Sequence, residues 1–161
     1  VQVQYAESFN DAAKGSTIAS TMYASGADVI YQAAGGTGTG VFTAAKEINE
    51  KLSADSNKKV WVIGVDRDQS AEGNYTSSDK KKSNFVLTST IKQVGTVVKD
   101  IANDQVKGKE FEGGKTKTYG IKDGGVDIVT SSLPSDIKDA VVKAKDQIKN
   151  GELQPTDGLS K

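Results

Sequence analysis

Residues 28–45 read DVIYQAAGGTGTGVFTAA, in which an apolar run, a glycine-rich turn and a helical pattern follow one another directly. Within the strand predicted at residues 28–33, Val29, Ile30 and Tyr31 form a continuous apolar run, which is typical of a strand in a sheet covered on both faces. From Val41 to Leu52, apolar residues recur at the i, i+3, i+4 spacing of one helix face. A strand that leads straight into an amphipathic helix is the repeating unit of an α/β fold.

The same alternation extends along the chain in both directions. Further strands are predicted at residues 1–6, 59–65, 84–89, 116–121 and 126–130. The other helices are predicted from the N-cap Asn10 to Ser25 and Gly26, across an apolar face at residues 91–102, and over residues 135–150. Because strand, helix and strand alternate, the strands should pair in parallel through right-handed crossovers. We therefore predict a three-layer α/β/α lobe around a parallel sheet, with residues 66–83 as a polar surface loop.

Composition excludes several classes of function. The chain has 161 residues, the size of one domain, and 21 Lys and Arg balance 21 Asp and Glu, which argues against a nucleic-acid partner. It contains no Cys and no His, so neither a thiolate or imidazole metal site nor a Ser-His-Asp triad can form, and we expect no catalytic residue, metal or cofactor. No apolar run reaches the roughly 18–20 residues of a transmembrane helix, so the chain as given should be soluble.

The glycine-rich turn is the strongest local signal of a binding site. Ligands of open parallel sheets sit beyond the carboxyl ends of the strands, where residues 8–11, 35–40, 66–68 and 88–92 should converge. Residues 35–40 hold four glycines in six positions, so backbone N–H groups can approach a ligand at the start of a helix. They match neither the P-loop nor the dinucleotide pattern. A tight turn with close helix packing is the alternative interpretation.

Three other residues are candidates for the same site. Asp66 follows the strand at residues 59–65, and a carboxylate there can accept two hydrogen bonds from vicinal sugar hydroxyls, although an ordinary turn or capping Asp explains it as well. Lys92 is predicted to open a helix, where the helix dipole disfavours a cation. It therefore either has a function that compensates for this cost or is an ordinary exposed Lys. Phe9 could stack on a ring or enter the core.

Four motifs carry a resemblance to a known family. They are SFND at residues 8–11, GADVIYQAAGGTG at 26–38, GVDRDQ at 64–69 and YGIKDGGV at 119–126. In order and spacing they resemble the basic membrane protein (BMP) family of bacterial surface lipoproteins, which are substrate-binding proteins of ABC transporters. The resemblance implies the C-terminal half of a two-lobe, type I periplasmic-binding-protein-like fold. Residues 1–130 would be its ligand-binding lobe, and residues 131–161 a helix and tail that follow the hinge and pack on the first lobe.

The resemblance also implies a function and the roles of the candidate residues. Asp66 would bind the ribose hydroxyls of a purine nucleoside, the backbone of Gly36, Thr37 and Gly38 would line it, and Lys92 would reach the sugar or the base; Phe9 is the remaining candidate. The partner would be the permease of an ABC importer. The protein would lie at the cell surface, on the extracytoplasmic face of the bacterial cytoplasmic membrane, held only by a lipid anchor on the other lobe.

Two expectations remain beside this one. The helix at residues 135–150 has an apolar stripe of Ile137, Val141, Ala144 and Ile148. Without the other lobe, this helix should fold back onto its own lobe or pair with another copy, and self-association is the favoured outcome. The competing function is a stand-alone flavodoxin-like or receiver-like signalling domain, which shares the order of strands and helices. An enzyme that acts on nucleosides is disfavoured because the chain has no His and offers no evident nucleophile.

Overall fold

A computed structural model of the chain describes residues 1–156. The elements in chain order are α1 (Ala12–Ala24), β1 (Val29–Tyr31), a 3-10 turn (Gly35–Gly38), α2 (Thr39–Asn49), β2 (Trp61–Gly64), a second 3-10 turn (Ser70–Gly73), β3 (Asn74–Thr76), β4 (Lys82–Asn84), β5 (Val86–Lys92), α3 (Val94–Val106), β6 (Val126–Ile128) and α4 (Ser135–Asn150). The main sheet has the strand order β1-β2-β5-β6, and its β1-β2 and β2-β5 pairs are parallel. The predicted α/β class with a mostly parallel sheet is confirmed.

The chain divides into two compact units, Val1–Thr90 and Ile91–Lys161. In the first unit, β1, β2 and β5 pair in register through Ile30 opposite Val62 and Val62 opposite Val86. Phe85 is fully buried between the rings of Phe42 and Tyr75, at centroid distances of 6.2 and 5.8 Å. Apolar residues of α1 and α2 complete this core, so the sheet forms a rigid base for the loops at its carboxyl edge.

Helices α1 and α2 approach each other closely through two glycines. A Cβ atom at Gly40 would lie 2.0 Å from the carbonyl oxygen of Ala12, and one at Gly15 would lie 2.1 Å from that of Thr37. Only glycine fits at such distances, because the neighbouring atoms belong to the backbone. Close helix packing, the alternative interpretation of the glycine-rich segment, therefore accounts for Gly40.

The second unit contains α3, β6 and α4. The Lys145 ammonium lies 2.6 Å from Asp127, which joins α4 to β6 and holds the pKa of the Asp127 carboxyl below its ordinary value. Val141 is half-buried, whereas Ile137 stays 47% exposed, so the predicted stripe of α4 is only partly covered. The bounds predicted for this helix are confirmed. Residues 157–161 of the predicted tail lie outside the described residues.

Two predicted strands are absent from the described structure. Residues 1–6 contain no strand, and Val1, Val3 and Tyr5 are exposed, because alternating apolar residues form a strand only where a neighbour supplies a hydrogen-bonding edge. Residues 116–121 contain none either, since Gly120 accepts a hydrogen bond from Gly125 N (2.9 Å) and draws the segment into a turn. Both predictions were wrong.

Three local predictions also need correction. The polar stretch at residues 66–83 contains the antiparallel β3-β4 pair, in which only Tyr75 is buried, too weak an alternation to show in the sequence. Asp11 rather than Asn10 caps α1, with its carboxylate accepting from Lys14 N at 2.9 Å. Strand β5 continues to Lys92 because β-branched residues precede it, so Lys92 ends a strand and does not open a helix.

Candidate functional site

The glycine-rich turn is tied to the segment that precedes α1. Thr37 is buried, its backbone N–H donates to Phe9 O (3.1 Å), and its hydroxyl donates to Ser8 O (2.9 Å). The same hydroxyl accepts a hydrogen bond from Asp11 N at 2.9 Å. The Thr37 side chain is therefore used inside the protein and holds the turn in place.

Phe9 lies against this turn and presents its side chain to solvent. It is 72% exposed, and its Cδ1 atom would lie 3.3 Å from a Cβ atom at Gly35. Its carbonyl oxygen would lie 2.9 Å from a Cβ atom at Gly36, so Gly36 is required by this close approach. The core interpretation of Phe9 is wrong, and an exposed ring beside a glycine-rich backbone can stack on a flat ligand.

Asp66 occupies a tight turn immediately beyond β2. The Arg67 N–H donates to the carbonyl of Val65 at 2.8 Å, and the Asp66 φ between them is 69°. A three-residue turn with positive φ is rare and strained, and such strain concentrates at functional sites. Asp66 is also exposed, so the turn offers a carboxylate to solvent at the carboxyl edge of the sheet.

The neighbouring charged residues are engaged within their own loop. Asp68 accepts from Ser70 N at 2.9 Å, and this backbone hydrogen bond is the main reason that the pKa of Asp68 is lowered. Arg67 forms an ion pair with Glu72. Asp68, Arg67 and Glu72 therefore stabilise the loop that follows Asp66.

A buried group of amides connects the Asp66 turn to the glycine-rich turn. The Oε1 atom of Gln69 accepts from Val65 N and from Gln32 Nε2, both at 2.9 Å. The Gln69 N–H donates to Ser89 Oγ at 3.0 Å. The Gln32 Oε1 atom has no partner among the described residues, and it would lie 1.7 Å from a Cβ atom at Gly38. The side chains of Gln32 and Gln69 therefore join two of the candidate segments.

The structure brings together most of the predicted site residues. Phe9 and the Gly36–Thr37–Gly38 turn are in contact, and the buried amides link that turn to the strand end that precedes Asp66. Lys92 is the last residue of β5 and is exposed; it belongs to the second unit, and its place in the site stays a prediction. Within residues 1–156, no cluster of three or more possible metal ligands occurs, and no helix is long and apolar enough to cross a membrane.

The family of the chain follows from its match to a protein-family model. The family model described as "ABC transporter substrate-binding protein PnrA-like", of the Bmp family, matches residues 1–156. The chain belongs to this family. The resemblance carried by the four sequence motifs is thereby confirmed.

Curated relatives of this PnrA-like chain come from several bacteria. It is 59% identical to the "ABC transporter nucleoside-binding protein BmpA" of Lactococcus lactis subsp. cremoris, over 95% of this chain and 43% of that protein. It is 45% identical to the "CD4+ T-cell-stimulating antigen" of Listeria monocytogenes, over 96% of this chain and 43% of that protein. It is 34% identical to "Basic membrane protein A" of Borreliella afzelii, over 93% and 42%. The chain thus spans less than half the length of these relatives.

Solved structures agree on the fold of the PnrA-like chain. A solute-binding protein of an ABC transporter system from Aeropyrum pernix superposes with a TM-score of 0.68 at 23% identity, over 96% of this chain and 48% of that one. A protein from Bacillus halodurans, described as a transcriptional activator of the comK gene, superposes with a TM-score of 0.73 at 23% identity, over the same shares. The predicted lobe of a type I periplasmic-binding-protein-like fold is confirmed.

The role of the buried amides could not be predicted from the sequence. Gln32 and Gln69 both lie within the family motifs, but nothing in their spacing shows that two side chains 37 positions apart meet through one hydrogen bond. One signal was available, because a long polar residue interrupts the apolar run at Gln32. A buried amide must find partners, so such an interruption indicates a polar network at the end of a strand.

Proposed function

We propose that this PnrA-like chain is the ligand-binding lobe of a substrate-binding protein that captures purine nucleosides for an ABC importer. The support is of two kinds. The Lactococcus lactis relative is named as a nucleoside-binding protein, and the candidate site offers groups that suit a sugar and a base. The proposed role is binding and delivery rather than catalysis, since the chain has no His or Cys, and both its family model and the Lactococcus lactis relative are named as binding proteins.

One observation carries the proposal, the exposed Asp66 carboxylate on the strained turn beyond β2. An ionised carboxylate accepts hydrogen bonds only, and its two oxygens match two vicinal hydroxyl donors. Hydrogen bonds with an ionised acceptor are shorter and stronger than those between neutral groups. The cis-diol of a ribose is therefore the ligand group that we assign to Asp66.

The rest of the site would hold the remainder of the nucleoside. The exposed ring of Phe9 can stack on a flat base, and the backbone of Gly36 and Gly38 allows close approach because neither residue has a side chain. A clamp of two lobes encloses more of a ligand than one lobe does, so this chain alone should bind more weakly than a complete two-lobe protein.

The cellular setting belongs to the same proposal. A substrate-binding protein works with a permease, so the proposed partner is the permease of an ABC importer. Relatives are named as ABC transporter binding proteins and as basic membrane proteins, which supports a place on the extracytoplasmic face of the membrane. The proposed attachment is a lipid anchor outside this chain.

The direct experiment is a calorimetric titration with adenosine and with guanosine, using the protein as its gene encodes it. Asp66→Ala should weaken nucleoside binding by at least tenfold, because it removes two charge-assisted hydrogen bonds worth together on the order of 2–5 kcal/mol. The matched control is Asp68→Ala, a neighbouring carboxylate that already accepts a hydrogen bond from Ser70 N. The control should bind within about threefold of the wild type, and equal losses in both variants would remove Asp66 from the site.

A further inference from the structure

We propose that Gln69, with Gln32 as its partner, is a positioning residue that holds the Asp66 turn and the glycine-rich turn in one arrangement. Neither side chain is assigned a contact with ligand, since Gln32 is only 4% exposed and Gln69 only 9%. The inference rests on the proposed function and extends it to residues behind the site. It concerns how the strained turn is kept in place.

A single atom lies at the centre of this arrangement. Gln69 Oε1 accepts from Val65 N and from Gln32 Nε2, both at 2.9 Å, and Val65 is the residue directly before Asp66. Both bonds are buried, and a buried donor left without an acceptor is unfavourable. The oxygen therefore fixes the entry to the turn and, through Gln32, one side of the glycine-rich segment.

The neighbouring residues leave this oxygen little freedom. The Gln69 backbone N–H donates to the fully buried Ser89 Oγ at 3.0 Å, which attaches the exit of the loop to β5. A Cβ atom at Gly64 would lie 2.6 Å from that Oγ and 2.9 Å from Gln69 Oε1. The missing side chain of Gly64 is what makes room for the network. Entry and exit of the Asp66 loop are thus held by one residue.

The arrangement explains how a rare backbone conformation persists. A residue with positive φ in a tight turn is maintained only when its surroundings over-determine the conformation. The Asp66 turn has its own 2.8 Å hydrogen bond from Arg67 N to Val65 O, and the Gln69 bond to Val65 N holds the same residue from the other side. Removing the Gln69 oxygen should release the turn while Asp66 itself remains.

The test compares Gln69→Met, which keeps the length but removes the oxygen, with Gln69→Glu, which keeps an acceptor. NMR backbone couplings of Asp66 report the sign of φ, and amide exchange of Val65 reports the buried hydrogen bond. We expect Gln69→Met to lose the positive φ, to expose the Val65 amide to exchange, and to weaken adenosine binding at least tenfold. Gln69→Glu should retain the turn and restore most of the affinity.

A control separates positioning from general destabilisation. Asn49 is fully buried, donates to Val60 O at 2.8 Å and accepts from Val60 N at 3.1 Å, before the start of β2. Asn49→Leu should lower the melting temperature at least as much as Gln69→Met, yet keep the Asp66 coupling and the affinity. Should Gln69→Met fail to fold, Gln32→Met removes one donor from the same oxygen and should give an intermediate loss of affinity.

The outcomes distinguish this inference from the proposed function. A positive φ at Asp66 and a protected Val65 amide in Gln69→Met would overturn the positioning role, and so would a turn that is lost without loss of affinity. A wild-type protein that binds no nucleoside would instead overturn the proposed function. The NMR measurements would then still decide whether Gln69 holds the turn.

Discussion

Asp66 combines a proposed ligand contact with a strained backbone, and the two can be separated by substitution. Its φ of 69° costs an L-residue about 1–3 kcal/mol, whereas glycine tolerates it. Glycine has a cost of its own, because its unfolded state is more flexible, and this disfavours folding by about 0.5–1 kcal/mol. The strain at Asp66 is larger than this cost. Asp66→Gly should therefore raise the free energy of unfolding in urea while it weakens nucleoside binding.

Lys80 provides the matched control for this prediction. It has a φ of 65° and lies in the turn between β3 and β4. Lys80→Gly should stabilise the protein by a similar amount and leave binding unchanged. If both glycine variants unfold more easily than the wild type, strain does not limit stability at either position.

Tyr23 provides a prediction about pH. Its hydroxyl donates to Trp61 O at 2.9 Å, and burial raises the pKa of Tyr23 above the ordinary value of 10.0. Above pH 10 the unfolded state releases this proton and the folded state keeps it, so the unfolded state binds fewer protons and stability falls as pH rises. Tyr23→Phe should be about 1 kcal/mol less stable at pH 7 and should lose stability less steeply between pH 10 and 11.

Urea unfolding of both proteins across that pH range measures the effect. Comparing the two proteins isolates the contribution of the Tyr23 hydroxyl from every other change over that range. Parallel curves for Tyr23→Phe and the wild type would show that the buried hydroxyl does not contribute to the alkaline loss.

At the residue scale, the sequence predicted which residues lie at the carboxyl edge of the sheet better than it predicted their exposure and their contacts. Asp66 could be placed because it directly follows an apolar strand. The exposure of Phe9 could not, because an aromatic residue after a strand enters the core as readily as it faces solvent. The link between Gln32 and Gln69 depends on the pairing of strands and is not a local property of either segment.

Among the elements, the crossing of α1 and α2 is the most sensitive to substitution. A Cβ atom at Gly40 would lie 2.0 Å from Ala12 O and 2.4 Å from Ser16 N, and these backbone atoms cannot move aside without separating the helices. Gly40→Ala should therefore cost roughly 1–3 kcal/mol or more, measured by thermal unfolding.

Gly95 in α3 is the contrasting position. Nothing lies within 4 Å of a Cβ atom there, so Gly95→Ala should stabilise the protein by about 0.5–1 kcal/mol through helix propensity alone. A Gly40→Ala protein as stable as Gly95→Ala would contradict the close crossing of α1 and α2.

Elements with strong local periodicity were predicted well. The strands at β1 and β2 and the helix α4 follow from apolar runs and from helical spacing, and Gly151 with a φ of 80° ends α4 as a glycine should. The wrong predictions concern segments whose conformation depends on pairing with a neighbouring strand. Residues 1–6 and 116–121 have strand-like sequences without strand structure, and the polar β3 and β4 form a pair that their composition does not indicate.

For the molecule as a whole, exposed apolar residues on the second unit predict self-association. Ile137 and Val142 of α4 are 47% and 41% exposed, and Val94 and Val98 of α3 are 63% and 60% exposed. Full burial of such a side chain is worth roughly 1.5–3 kcal/mol, and the exposed fraction of each residue sets how much of this remains to be gained. We expect the apparent mass in light scattering to rise with concentration and Val98→Lys to reduce the rise. A constant monomer mass would show that these stripes are too weak to pair.

The proposed contact between Asp66 and the ribose hydroxyls of a nucleoside is tested most directly with a ligand that lacks those hydroxyls. Adenosine and 2′,3′-dideoxyadenosine are titrated by calorimetry into the wild-type protein and into Asp66→Ala. We expect the wild type to prefer adenosine by more than tenfold and Asp66→Ala to abolish the preference. An equal preference for adenosine in both proteins would contradict the proposed contact.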